Sequence, residues 1–102
     1  TIQELLDPCD VVKTSGDLQS EVVSITEDSR VVGPGSVFVA IQGTQQDGHH
    51  FVKQAFAQGA TAAVVEAGCF QGDTALVLPE DSVLIQVENS RKSLGLMASQ
   101  LN

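Results

Sequence analysis

Residues 36–66, "SVFVAIQGTQQDGHHFVKQAFAQGATAAVVE", decide the fold. They open on a nearly continuous apolar run, Ser36 to Ile41, the pattern of a strand covered on both faces. A polar stretch bounded by glycines follows, and beyond it Val52, Ala55 and Phe56 recur at helical spacing. Gly59 stands where a left-handed residue closes a helix, and "ATAAVVE" (60–66) reads as the next strand. Strand, loop, helix and strand in so short a span predict a parallel pair joined by a right-handed crossover.

Working outward, "SVLIQV" (82–87) is another buried-strand run. Asn89 is placed as the N-cap of a closing helix whose stripe is Leu94, Met97, Ala98 and Leu101. In the other direction "VVGPG" (31–35) is a turn, "EVVSIT" (21–26) a β-branched strand, and "TSGDLQS" (14–20) a loop. "TIQELL" (1–6) has Thr1 and Glu4 at capping-box spacing and is stopped by Asp7-Pro8, which predicts a short helix. The pattern leaves "ALVL", between 67 and 82, without an assignment. The fold class that results is α/β, a small three-layer arrangement with a mainly parallel sheet flanked by helices, and residues 1–102 read as a single domain without repeats or linkers. Gly33, Gly35 and Gly43 are expected to serve turns that need positive φ or close approach, and Phe38, Phe51 and Phe56 to lie in the core.

Charge narrows the function. Five basic residues face thirteen acidic ones, for a formal charge of −8. Lys13, Arg30, Lys53, Arg91 and Lys92 are scattered, which gives no footprint for nucleic acid or for an anionic membrane. An anion would have to be held by main-chain N–H groups or by one or two placed cations. Cys9 and Cys69 form no C-x-x-C and read as two thiols in a reducing compartment rather than a disulfide. No apolar stretch approaches the roughly 20 residues that span a bilayer. The expectation is a soluble, cytoplasmic protein.

The polar stretch "GTQQDGHH" (43–50) carries Gly43 and Gly48 at the spacing of a phosphate-binding P-loop. It sits between strand and helix, where open α/β sheets bind ligands. A P-loop needs a Lys for the β- and γ-phosphates and a hydroxyl for Mg²⁺; here His49 and His50 stand instead, and Asp47 adds negative charge. Adjacent residues at a helix start diverge by about 100°, so the two histidines are poorly placed to chelate one ion, and no metal site is expected. The simpler reading makes Asp47 a cap and puts both histidines in the first helical turn. No serine lies in G-x-S-x-G, and no catalytic constellation is visible.

A resemblance goes further. "ITEDSRVVGPGSVFVAIQGTQQDGHHFVKQAFAQGATAAVVE" (25–66) looks like the signature of the N-terminal domain of the Mur ligases: an acid-Ser-Arg turn, a Pro-Gly turn, a "FVA" strand, a Gly loop ending in "DGH-F", a helix with "QA", then "GA". The tail "VLIQVENSRKSLGLMASQL" also matches, and resembles the tripeptide synthetase (MurE) branch more than the MurF branch. The resemblance covers nearly the whole chain and is weakest in 7–20 and 67–80.

It implies an ATP-dependent, amide-bond-forming ligase of peptidoglycan synthesis, adding diaminopimelate or lysine. The N-terminal domain of such a ligase holds the uridine nucleotide end of UDP-N-acetylmuramoyl-L-Ala-D-Glu. It also implies that ATP and Mg²⁺ belong to a central domain, and amino-acid selection to a C-terminal domain, both absent from this chain, which alone is expected to bind no cofactor and to catalyse nothing. Carried over position by position, Ser29 is implied to hydrogen-bond the nucleotide, Glu27 to contact it through its main chain, and Thr44, Gln45 and Gln46 to line the uracil and ribose. Arg30 is the candidate diphosphate contact, with an ion pair to Asp28 or another carboxylate as its competing role. Alternative readings stand beside this one: a MurF-type ligase domain, and, from other classes, a stand-alone nucleotide-binding or interaction module without catalysis.

Overall fold

The computed structural model describes residues 2–7, 9, 11–16, 18–41, 51–66 and 83–101, without the side chains of residues 15, 29 and 101. Along the chain run α1 (Ile2–Leu6), β1 (Val11–Ser15), β2 (Ser24–Thr26), a 3₁₀ turn (Ser29–Val31), β3 (Ser36–Val39), α2 (Val52–Ala57), β4 (Ala62–Glu66), β5 (Val83–Val87) and α3 (Ser90–Leu101). The strands form one sheet in the order β1-β5-β4-β3-β2. Neighbours from β5 to β2 are parallel, while β1 runs antiparallel to β5. The sheet is therefore mainly parallel, as the apolar runs predict.

Alternation along β3 and β4 builds two cores. Val37, Val39, Ala62 and Val64 face α1 and α3, where they meet Ile2, Leu5, Leu6 and Met97. Phe38, Ala40, Ala63 and Val65 face the other way, onto Val32, Val52, Ala55 and Phe56. Both faces of these central strands are buried, which is why their sequences read as continuous apolar runs. On β5 the alternation shows, because Leu84 and Gln86 are only half-buried. Phe38 and Phe56 are core, and Phe51 packs partly buried against them.

Gly35 and Gly59 are required by geometry. Gly35 has φ +87°, and the N–H of Ser36 donates to the carbonyl of Gly33 at 3.0 Å, so Gly33-Pro34-Gly35-Ser36 is a turn with Pro at the second position and Gly at the left-handed third, the arrangement of type II. Gly59 has φ +104° and closes α2: its N–H donates to the carbonyl of Phe56, and that of Ala60 to the carbonyl of Ala55, both at 3.0 Å, the paired bonds of a Schellman motif. The two features touch, since a Cβ on Gly59 would stand 3.3 Å from the Pro34 nitrogen. Gly33 departs from expectation. Its φ is not positive and a Cβ there would meet nothing within 4 Å. Gly43 lies outside the described residues.

The strand β1 corrects the expectation of a loop from residue 14. Val12, Lys13 and Thr14 are exposed, so no buried face marks the segment, and its strand state comes from pairing with β5. The strand expected over 21–26 is shorter, Ser24–Thr26; in front of it the Val23 N–H donates to the Gly35 carbonyl at 2.8 Å. Asn89 is the expected cap of α3, its Oδ1 accepting from the Lys92 N–H at 3.0 Å. The capping roles given to Thr1 and Asp47 lie outside the described residues.

Candidate functional site

Parallel strands put their carboxyl ends on one edge, and the connections that leave that edge are the natural place for a ligand. Thr26 at the end of β2 pairs with Phe38, and Val39 at the end of β3 pairs with Val64. β2 and β3 are neighbours, so Glu27, after β2, and Ile41, which leads into residues 42–50, leave the same edge one strand apart, a spacing of roughly 4.8 Å between parallel neighbours. The structure thus brings Glu27, Ser29 and Arg30 to the edge at which β3 ends. Thr44, Gln45 and Gln46 themselves lie outside the described residues, as do His49 and His50.

The segment after β2 is fixed by short side-chain to main-chain bonds. The Asp28 N–H donates to Thr26 Oγ1 at 3.0 Å. Asp28 then caps the 3₁₀ turn: its Oδ1 accepts from the Arg30 N–H at 2.9 Å, and its carbonyl accepts from the Val31 N–H at 3.2 Å. The Arg30 side chain folds back on the same carboxylate, Nε to Oδ1 at 3.0 Å and Nη2 to Oδ2 at 2.9 Å. Arg30 therefore adopts the competing role foreseen for it, a fork on Asp28, while its side chain stays 85% exposed. Ser29 is the first residue of the turn that these bonds hold. Glu27 is exposed just ahead of it.

The side-chain hydrogen bonds from Arg30, then its main-chain bond and its charge, hold the Asp28 carboxyl below the ordinary carboxylate range. A depressed carboxylate contributes its pairing energy above the unfolded-chain pKa and loses it as pH falls through the folded value. In an acid titration followed by NMR, the Asp28 carboxyl carbon is expected to turn at a pH below the usual Asp value of about 3.9, with the Arg30 amide signal moving in step. A midpoint at or above that value would mean the fork is not populated in solution.

On the same edge, at the end of the central strand β4, Glu66 has a role that no sequence pattern announces. Its Oε1 accepts from the Ser90 N–H at 2.9 Å, so the last residue of β4 closes the first turn of α3 together with Asn89. A contact between residues so far apart in sequence leaves no local pattern. The thiol of Cys9 lies 3.7 Å from the Leu5 carbonyl, between α1 and α3. Cys69 is outside the described residues. Among the described residues no three His, Cys, Asp or Glu side chains gather as metal ligands, and no described helix is long and apolar enough to cross a membrane.

A family described as "Mur ligase family, catalytic domain" matches residues 21–101. Among curated proteins, the UDP-N-acetylmuramoyl-L-alanyl-D-glutamate–2,6-diaminopimelate ligase of Cytophaga hutchinsonii is 36% identical over 103 residues, covering 96% of this chain and 19% of that protein. The chain thus spans about a fifth of the length of the curated relatives it matches. Among solved structures, MurF from Acinetobacter baumannii superposes with a TM-score of 0.67 at 24% identity, over 97% of this chain and 20% of that one. MurF ligase from Thermotoga maritima in complex with ADP gives 0.56 at 28% identity, over 84% and 18%. The first of these two likenesses concerns the fold alone. The word "catalytic" in the family description meets a chain without a G-x-x-x-x-G-K-[ST] segment.

Proposed function

Because the chain belongs to the Mur ligase family, we propose that it is the substrate-anchoring, N-terminal domain of an ATP-dependent ligase that joins diaminopimelate to UDP-N-acetylmuramoyl-L-Ala-D-Glu in the cytoplasm. The observation that carries this reading is the 36% identity, over nearly all of the chain, to a ligase named for that reaction. The domain holds the uridine nucleotide at the carboxyl edge of its sheet. Ser29 donates and accepts through its hydroxyl, Glu27 contributes its main chain, and Thr44, Gln45 and Gln46 line the base and ribose. Arg30, the candidate diphosphate contact by resemblance, has its Nε and Nη2 turned to Asp28 instead.

ATP and Mg²⁺ do not fit this chain. Gly43 and Gly48 have the spacing of a P-loop, but the Lys and hydroxyl that would hold phosphate and metal are missing. Their place is in the remainder of the parent ligase, with the selection of the incoming amino acid. Holding the nucleotide, remote from the reacting carboxyl, still serves the reaction: binding energy gathered there makes the joining step effectively intramolecular.

The test is titration of the 102-residue chain with UDP and with UDP-N-acetylmuramoyl-L-Ala-D-Glu, followed by amide NMR. Shifts confined to residues 27–30 and 43–48 are expected. Their absence at millimolar ligand would point instead to an interaction module. Ser29→Ala should weaken UDP binding by about 1 kcal/mol, roughly fivefold, as for one neutral hydrogen bond, with little change in Tm. A large loss of Tm with intact binding would make Ser29 a structural turn residue.

A further inference from the structure

The turn after β2 is held more firmly than a surface turn of three residues requires. One carboxylate, that of Asp28, receives the main-chain N–H of Arg30 and two nitrogens of its guanidinium, and the Asp28 N–H is itself received by Thr26 Oγ1. These bonds bracket a single residue, Ser29. Burial does not explain them, since the Asp28 side chain is 37% exposed and that of Arg30 85%. An exposed ion pair adds little to stability. What the arrangement does fix is the direction of the chain through residues 28–30, and with it the position of the Ser29 main chain at the carboxyl edge.

We infer that Asp28 is a positioning residue for nucleotide binding, acting through the Arg30 N–H to set the place of Ser29, with the Arg30 guanidinium serving as a brace on Asp28 and not as a phosphate ligand. The inference rests on the reading that this edge binds a uridine nucleotide. It assigns the energetic role to the cap, from Arg30 N–H to Asp28 Oδ1, and only a secondary one to the charge. Asn at position 28 keeps an Oδ1 that can accept from the same N–H, whereas Ala keeps nothing.

The experiment is a double-mutant cycle on the 102-residue chain, with uridine and UDP titrated separately and Tm recorded for every variant. Asp28→Ala should weaken both ligands by about fivefold, as Ser29→Ala does, and the double variant should be no weaker than either single one, because residues acting through one contact are not additive. Asp28→Asn should bind within about twofold of the parent, since it retains the cap. Tm should change little throughout.

Three results would overturn the inference. Independent losses, multiplying to about twenty-five-fold in the double variant, would give Asp28 a role of its own. Asp28→Asn as weak as Asp28→Ala would make the charge the active feature. Tighter UDP with unchanged uridine in Asp28→Ala would mean that Asp28 masks Arg30, which then meets the diphosphate. If the parent chain binds neither ligand, the nucleotide reading falls and this inference falls with it; if the parent binds but Ser29→Ala has no effect, the nucleotide reading stands while the inference is lost.

Discussion

Phe38→Ala is expected to destabilise the chain by about 3–5 kcal/mol, the usual cost of removing a buried phenyl ring and leaving its cavity. Phe38 is fully buried in the middle of β3, with Thr26 and Ala63 as its partners on either side. The ring fills the space between the sheet and α2, among Val32, Val52, Ala55 and Phe56. Its partner on β4 is Ala63, too small to collapse into the gap. Since small domains are stable by only about 5–15 kcal/mol, urea denaturation should show a midpoint lowered by at least about a fifth. A loss below about 1 kcal/mol would mean that α2 does not rest on this ring.

Gly35→Ala should cost about 2 kcal/mol and lower Tm by about 10 °C, for a different reason. No cavity is made. The residue is required to hold φ +87°, which any Cβ disfavours, and an added Cβ would stand 2.7 Å from Val23 Cγ2. Val23 Cβ would also lie 3.0 Å away and does not move with its rotamer, so this contact adds to the backbone term. Thermal melting of Gly35→Ala beside Gly33→Ala provides the comparison: Gly33, with open space around it, should change stability by no more than about 0.5 kcal/mol. Equal losses at the two positions would show that the turn is not the one described.

The elements that sequence patterning found are those whose burial is written into their own residues. β3, β4 and α2 form a unit whose apolar runs, helical spacing and closing Gly59 agree with one another, and α3 announces its start with Asn89. β1 was missed because Val12, Lys13 and Thr14 have no buried face, so that the pairing with β5 determines its state and is invisible locally. Gly33 was over-read, since a glycine before proline resembles a turn requirement whether or not one exists. At the candidate site the Asp28–Arg30 pair was legible as acid and base two positions apart, while the Glu66 contact to the first turn of α3 was not. Thr44, Gln45 and Gln46 lie outside the described residues, and the expectation that they reach this edge rests on the βαβ pattern of the sequence alone.

The antiparallel pairing of β1 with β5, Val11 against Val87, joins segments from nearly opposite ends of the chain. During synthesis, which proceeds at about 5–20 residues per second, β1 leaves the ribosome long before its partner exists. For those seconds Leu5 and Leu6 of α1, whose mature place is in the core shared with β5, have no β5 to cover them. The parallel unit β3-α2-β4 joins segments much closer in sequence and can form first. Nascent chains should therefore become protease-resistant in two steps, the second only after β5 has emerged.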